Sequence, residues 1–133
     1  MAFQYNAELL NLVVQALADS APSEWRKLIF YFEFLEDEQI GLRNAFTGRV
    51  LGGENFEIRL ESYKLGKSAR TFNLMKALYL EAVQNGDKWT GILFTVLWNG
   101  QFKCRLYHDQ TPLLADDDAA LEQIFSQGMS ALP

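Results

Sequence analysis

A chain of 133 residues with 49% hydrophobic and 14% aromatic side chains has the composition of one folded domain, spanning 1–133, and not of a disordered segment. Its longest unbroken apolar run, Leu28 to Phe32, is far too short to cross a bilayer, and its single cysteine excludes an internal disulfide. The net charge of −5 is unevenly placed: acids and bases cancel up to Arg105, while Asp109, Asp116, Asp117, Asp118 and Glu122 follow without a Lys or Arg. That balance argues against nucleic-acid binding, which needs an uncompensated basic stripe, and leaves a cationic partner or plain solubility as its meaning. No basic segment followed by an apolar block opens the chain, so a cytoplasmic protein is expected.

Residues 5–20 carry a helical stripe of Leu10, Val13, Val14 and Leu17, with Asn6 as N-cap and a break before Pro22. The polar face of this first helix holds no Lys or Arg, which argues against a membrane-surface role. From Trp25 the period changes to two. Leu28, Phe30, Phe32 and Phe34 form one face of a strand, and Ile29, Tyr31, Glu33 and Leu35 a less apolar second face. The acidic run Glu36-Asp37-Glu38 turns the chain into a second strand with Ile40, Leu42 and Phe46, where Gly41 marks a bulge. Beyond Gly52-Gly53, Phe56, Ile58 and Leu60 alternate with charged residues in a third strand. Short connections make these an antiparallel meander.

The basic connector Tyr63 to Arg70 contains Gly66-Lys67-Ser68, which ends like a phosphate-binding loop but has Glu61 where that loop needs its first glycine. Ser68 or Thr71 caps a second helix with Phe72, Met75, Leu78, Tyr79, Ala82 and Val83 inward, ended by Asn85-Gly86. A hairpin follows over Trp89–Asp109, turned by Asn99-Gly100 as a two-residue type I′ turn. Its first strand is apolar on both sides, with Ile92, Phe94, Val96 and Trp98 on one face and Leu93 and Leu97 on the other, so it must be covered twice. The second is one-sided, with Phe102, Cys104 and Leu106 in and Lys103 and Arg105 out. Asp116 or Asp117 then caps a third helix with Leu121, Ile124, Phe125 and Met129 inward. The expected fold is α+β in the order α-βββ-α-ββ-α, a mostly antiparallel five-stranded sheet packed by helices.

Chemistry is hard to find in these residues. His108 and Asp109 are strand neighbours that point to opposite faces, and Cys104 and His108 stand roughly 13 Å apart along an extended strand. Cys104 reads as a small buried hydrophobe. A zinc site lacks ligands, and Asp116, Asp117 and Asp118 fit a helix start better than an all-oxygen metal site. We therefore expect no catalytic residues, no cofactor and no metal. What is left is charge: Glu36, Asp37, Glu38, Asp109, Asp116, Asp117 and Asp118 form a candidate surface for a basic protein.

Two stretches carry a family resemblance. Pro22-Ser23-Glu24-Trp25 after an amphipathic helix, leading to a strand with Tyr31 and Glu33, resembles the opening of the YezG-like immunity proteins. Trp89-Thr90, then Asn99-Gly100-Gln101-Phe102-Lys103 and Leu106-Tyr107-His108-Asp109, is similar to that family's tryptophan, its "DGKF" kind of turn and its acidic-aromatic strand end. The likeness runs from about residue 9 to 109; His108 departs from the usual acidic residue, and 36–55 match little. The resemblance implies an intracellular antitoxin, monomeric in a 1:1 complex with the toxic C-terminal domain, often a nuclease, of a bacterial polymorphic or contact-dependent growth inhibition toxin. The alternatives are an acidic type III secretion chaperone, whose length and element order this chain shares, and a small enzyme with an apolar pocket.

Overall fold

A computed structural model describes residues 7–53, 57–58 and 69–132. The chain forms α1 (Ala7–Asp19), β1 (Lys27–Asp37), β2 (Gly41–Leu51), β3 (Glu57–Ile58), α2 (Ala69–Gln84), β4 (Gly91–Leu97), β5 (Phe102–Tyr107) and α3 (Asp118–Ala131). The class is α+β, as expected. Four long strands lie side by side as β2-β1-β4-β5, every pairing antiparallel, and Glu57–Ile58 adds two residues at the outer edge of β2.

β1 sits in the middle because its sequence allows nothing else. Both of its side-chain sets are buried, and the sheet is sandwiched to accommodate them. Leu28, Phe30, Phe32 and Phe34 join Val50, Ile92, Phe94 and Val96 under α1 and α2. Ile29 and Tyr31 join Leu93 and Tyr107 under α3, whose Ile124 and Phe125 face them. β4 is covered on both sides in the same way, which is the double cover its apolar pattern required. α1 and α2 run antiparallel, with Asp19 at the end of one bound to Arg70 at the start of the other.

α3 lies close on the sheet at Gly128, where a Cβ would stand 2.8 Å from Ile29 Cγ2. The same close approach lets Thr95 Oγ1 donate to Gly128 O at 3.1 Å. The buried Lys27 reaches the end of α3 and donates Nζ to the carbonyls of Met129 and Leu132. A cation there satisfies orphan carbonyls and opposes the negative end of the helix dipole.

Several local expectations are corrected. Trp98 ends up 60% exposed, because β4 stops at Leu97 and Trp98 begins the turn. That turn is not type I′, which needs positive φ at both central residues. Gly100 alone has it, at 94°, with Gly100 N donating to Leu97 O and Leu97 N to Gln101 O. The loop is therefore three residues closed by a left-handed glycine. Ile40 also lies in a turn and is exposed, and Gly41, at φ 95°, closes that turn where a bulge was expected. Thr71 is buried inside α2 and does not cap it. Val83 is exposed, being one step round the helix from the buried Ala82. Asn6, Ser68, the Gly66-Lys67-Ser68 stretch and most of the third strand lie outside the described residues.

Candidate functional site

β1 and β5 run the same way, so both finish at one end of the sheet. That end also receives the segment leading into α3. Glu36 and Asp37 close β1, Glu38 follows in the turn, and Asp109 lies two residues beyond β5. Asp116, Asp117 and Asp118 lie at the start of α3, on the other face of the sheet from the Glu36 contacts with Tyr79 and Lys88.

The keystone is a residue that charge patterning passed over. Glu33 is fully buried on the α3 side of β1. Its carboxylate accepts from Tyr31 Oη at 2.7 Å, Leu113 N at 2.9 Å and Leu114 N at 2.8 Å. A buried carboxylate is tolerable only when its lone pairs are filled in this way. The two backbone bonds tie the loop between β5 and α3 to the centre of the sheet. In that loop Ala115 N donates to Thr111 O and Asp117 N to Pro112 O, which turns the chain into Asp116, Asp117 and Asp118 at the start of α3. A carboxylate within a strand of phenylalanines was the available signal.

The acidic residues divide by what they already do. Asp37 Oδ1 accepts from Gln39 N and Ile40 N, so it closes the β1–β2 turn, and those N–H groups hold its carboxyl below the ordinary range. Glu36 pairs with Lys88 Nζ at 2.6 Å and accepts from Tyr79 Oη at 3.3 Å; the Lys88 contact lowers its pKa. Desolvation and then the Glu36 charge push the Tyr79 hydroxyl up to about 12. Asp117 is the N-cap of α3, accepting from Ala120 N, and Asp118 lies in its first turn, as the sequence implied. Asp109 and Asp116 have positive φ, 63° and 55°, a conformation that aspartate adopts more readily than most residues. Glu38, at the tip of the turn, is exposed and makes no hydrogen bond or ion pair within the described chain. Glu36, Asp37, Glu38 and Lys88 line a shallow depression of about 540 Å³ with Gly41 and Leu42.

His108 does not act with Asp109 or Cys104. Its Nε2 lies 2.8 Å from Asp87 Oδ1 in the α2–β4 connection, a link between segments that the spacing did not reveal. Cys104 is half-buried, and desolvation raises its thiol to about 12, which suits an inert packing residue. Among the described residues no cluster of His, Cys, Asp or Glu is arranged to hold a metal ion.

A second surface went unmarked by the sequence. Between β5 and the second half of α3 runs an open groove of about 440 Å³, lined by Leu93, Thr95, Lys103, Arg105, Gln127 and Ser130. Comparison with known protein families and with curated proteins finds no match for this chain.

Proposed function

We propose that this protein is an immunity protein: a cytoplasmic, stoichiometric inhibitor that binds the toxic domain, a basic nuclease, of a bacterial polymorphic or contact-dependent growth inhibition toxin. The observation that supports the reading is the exposed acidic run at the β1–β2 turn, where Glu36, Asp37 and Glu38 line one depression, together with Asp109 just beyond the end of the parallel-running β5. A nuclease domain binds phosphate through a cationic groove, and a fixed acidic end is complementary to it in sign. Such complementarity raises the association rate and selects the partner. The family resemblance points the same way, and the alternation of Phe56, Ile58 and Leu60 with charged residues favours a complete third strand in the α-βββ-α-ββ-α order. Full inhibition would bury on the order of 1,600 Å² with a few central anchors.

The test uses two acidic residues whose side chains make no hydrogen bond or ion pair among the described residues. Glu38→Lys together with Asp118→Lys should slow association with the toxin encoded beside this gene at least tenfold, while the melting temperature falls by no more than a few degrees. Unchanged association at low salt, where charge steering is strongest, would remove this surface from the proposal.

A further inference from the structure

β5 is the outer strand of the sheet, and nothing among the described residues pairs with its far side. Leu97 N donates to Gln101 O, which sets the phase of the β4–β5 ladder. By alternation the N–H and C=O groups of Lys103 and Arg105 point to β4, as Gln101 O does, and those of Phe102, Cys104 and Leu106 point away from the sheet. An open row of this kind is a template for one more strand.

The side chains beside that row are selective. On the α3 side Lys103 and Arg105 are exposed over the groove, and α3 contributes Gln127 and Ser130 to its far wall. Arg105 leans over the Tyr107 ring, 5.4 Å from its centroid, and neither cation has a carboxylate partner among the described residues. On the opposite side Phe102, Cys104 and Leu106 rest partly buried against the core. A strand added here would therefore put alternate residues over two unpaired cations and the others beside an apolar surface.

We propose that the edge of β5 accepts an extended segment of another polypeptide as an added strand, one whose alternate residues are carboxylates seated on Lys103 and Arg105. A second copy of this chain is the wrong occupant. Antiparallel pairing of two β5 strands places residues of the same face opposite each other, so Lys103 and Arg105 would meet Lys103 and Arg105 of the second copy, and like charges directly opposite are destabilising. The cations that refuse self-association are the ones that recognise an acidic strand. The protein's own acidic end does not cancel them: among the described residues neither cation forms an ion pair with Asp109 or any other carboxylate. This surface is opposite in sign to the acidic end, and the inference stands whether or not that end binds a toxin.

The test needs only this chain and a synthetic probe: an end-capped octapeptide of alternating glutamate and valine, compared with one of lysine and valine. Titration of isotope-labelled protein should shift the amides of 101–107 with the glutamate peptide and not with the lysine peptide. The Cys104 and Leu106 amides, which face away from the sheet, should exchange readily in the free protein and become protected with the glutamate peptide. Lys103→Glu with Arg105→Glu should weaken the glutamate peptide at least tenfold and reverse the preference. Cys104→Pro removes one outward N–H without breaking the β4 ladder and should abolish binding; the double charge reversal decides the matter if that variant does not fold. Equal binding of both peptides, shifts elsewhere in the protein, no binding, or a concentration-dependent dimer through β5 would each overturn the proposal.

Discussion

Tyr31 and Glu33 lie two residues apart on the same face of β1, both fully buried, and the phenol donates to the carboxylate at 2.7 Å. Burial and the adjacent Glu33 together push the tyrosine hydroxyl far above its ordinary range. Glu33 thus gathers one side-chain and two backbone donors at a single point. Glu33→Ala leaves all three unsatisfied in a dry interior and should cost about 3–5 kcal/mol, the penalty of a broken buried charge network. Glu33→Gln keeps the shape but turns an amide N–H₂ towards a backbone N–H, so a loss of about 1–3 kcal/mol is expected. Urea denaturation of both variants checks the order. Equal, small losses would mean that the loop is held by other contacts.

Gly91 is opposite Glu33 in the β1–β4 register, and the Tyr31 ring lies over it. A Cβ there would stand 2.5 Å from Tyr31 Oη and 2.8 Å from Cε1. The ring cannot swing aside without giving up Glu33, so Gly91→Ala should cost about 1–3 kcal/mol by overpacking. Adding Tyr31→Phe removes the nearest atom only, so it should relieve part of that strain. A double-mutant cycle with a coupling energy near zero would contradict this geometry. Gly128→Ala is a closer contest, because alanine gains about 1 kcal/mol in helix propensity against the clash with the stiff, β-branched Ile29. We expect a small net destabilisation by thermal melting.

The two hairpins show what sequence patterning could and could not supply. Alternation alone placed Phe94, Val96, Phe102 and Cys104 on one face, and the register agrees, with Phe94 opposite Cys104 and Val96 opposite Phe102. A two-residue Asn99-Gly100 turn would have put Trp98 opposite Gln101 and moved one strand's apolar set to the wrong face, since a slip of one residue inverts every side chain. Burial overrode the local turn preference, and the chain spent Trp98 in the loop to keep Phe102 and Leu106 with the core. Glu33 was hidden for another reason: its donors come from Leu113 and Leu114, and no local pattern carries a contact so distant in sequence. The acidic clusters were legible as charge. Their division into turn, cap and uncommitted residues needed coordinates. Asp117→Ala should cost about 1 kcal/mol as a lost N-cap, whereas Glu38→Ala should leave stability within about 0.5 kcal/mol.

Stability should be level through neutral pH and fall on both sides. Asp37, Glu36, Asp19 and Glu122 all have lowered pKa values, held by backbone N–H groups, Lys88, Gln15 with Arg70, and Arg49 respectively. A lowered folded-state pKa contributes stability that is complete above the unfolded values of 4.5 for glutamate and 3.8 for aspartate, and is lost as pH falls through the folded values. On the alkaline side the raised Tyr79 hydroxyl favours the protonated fold, so its contribution declines as pH rises from 10.0 towards about 12. Melting temperatures measured by circular dichroism across this range should show the acid limb beginning near the glutamate value. Added salt should flatten the part due to exposed pairs such as Glu36–Lys88. An acid limb starting at pH 6 would point to a group other than these carboxylates.

Cys104 gives the sharpest chemical readout. Its thiol is raised from 9.0 to about 12 by desolvation, with no neighbouring group to offset it. At pH 8 the thiolate fraction is then roughly a thousandfold smaller than for an unperturbed thiol, and the thiolate is the reacting species. Reaction with iodoacetamide should be slowed by at least a hundredfold in the native protein and restored in denaturing urea. Because the raised pKa also ties stability to the protonated form, the native reaction should accelerate with pH up to about 12 and show no plateau near 9.0. Fast labelling at pH 8 would place this sulfur in water, and with it the inner face of β5.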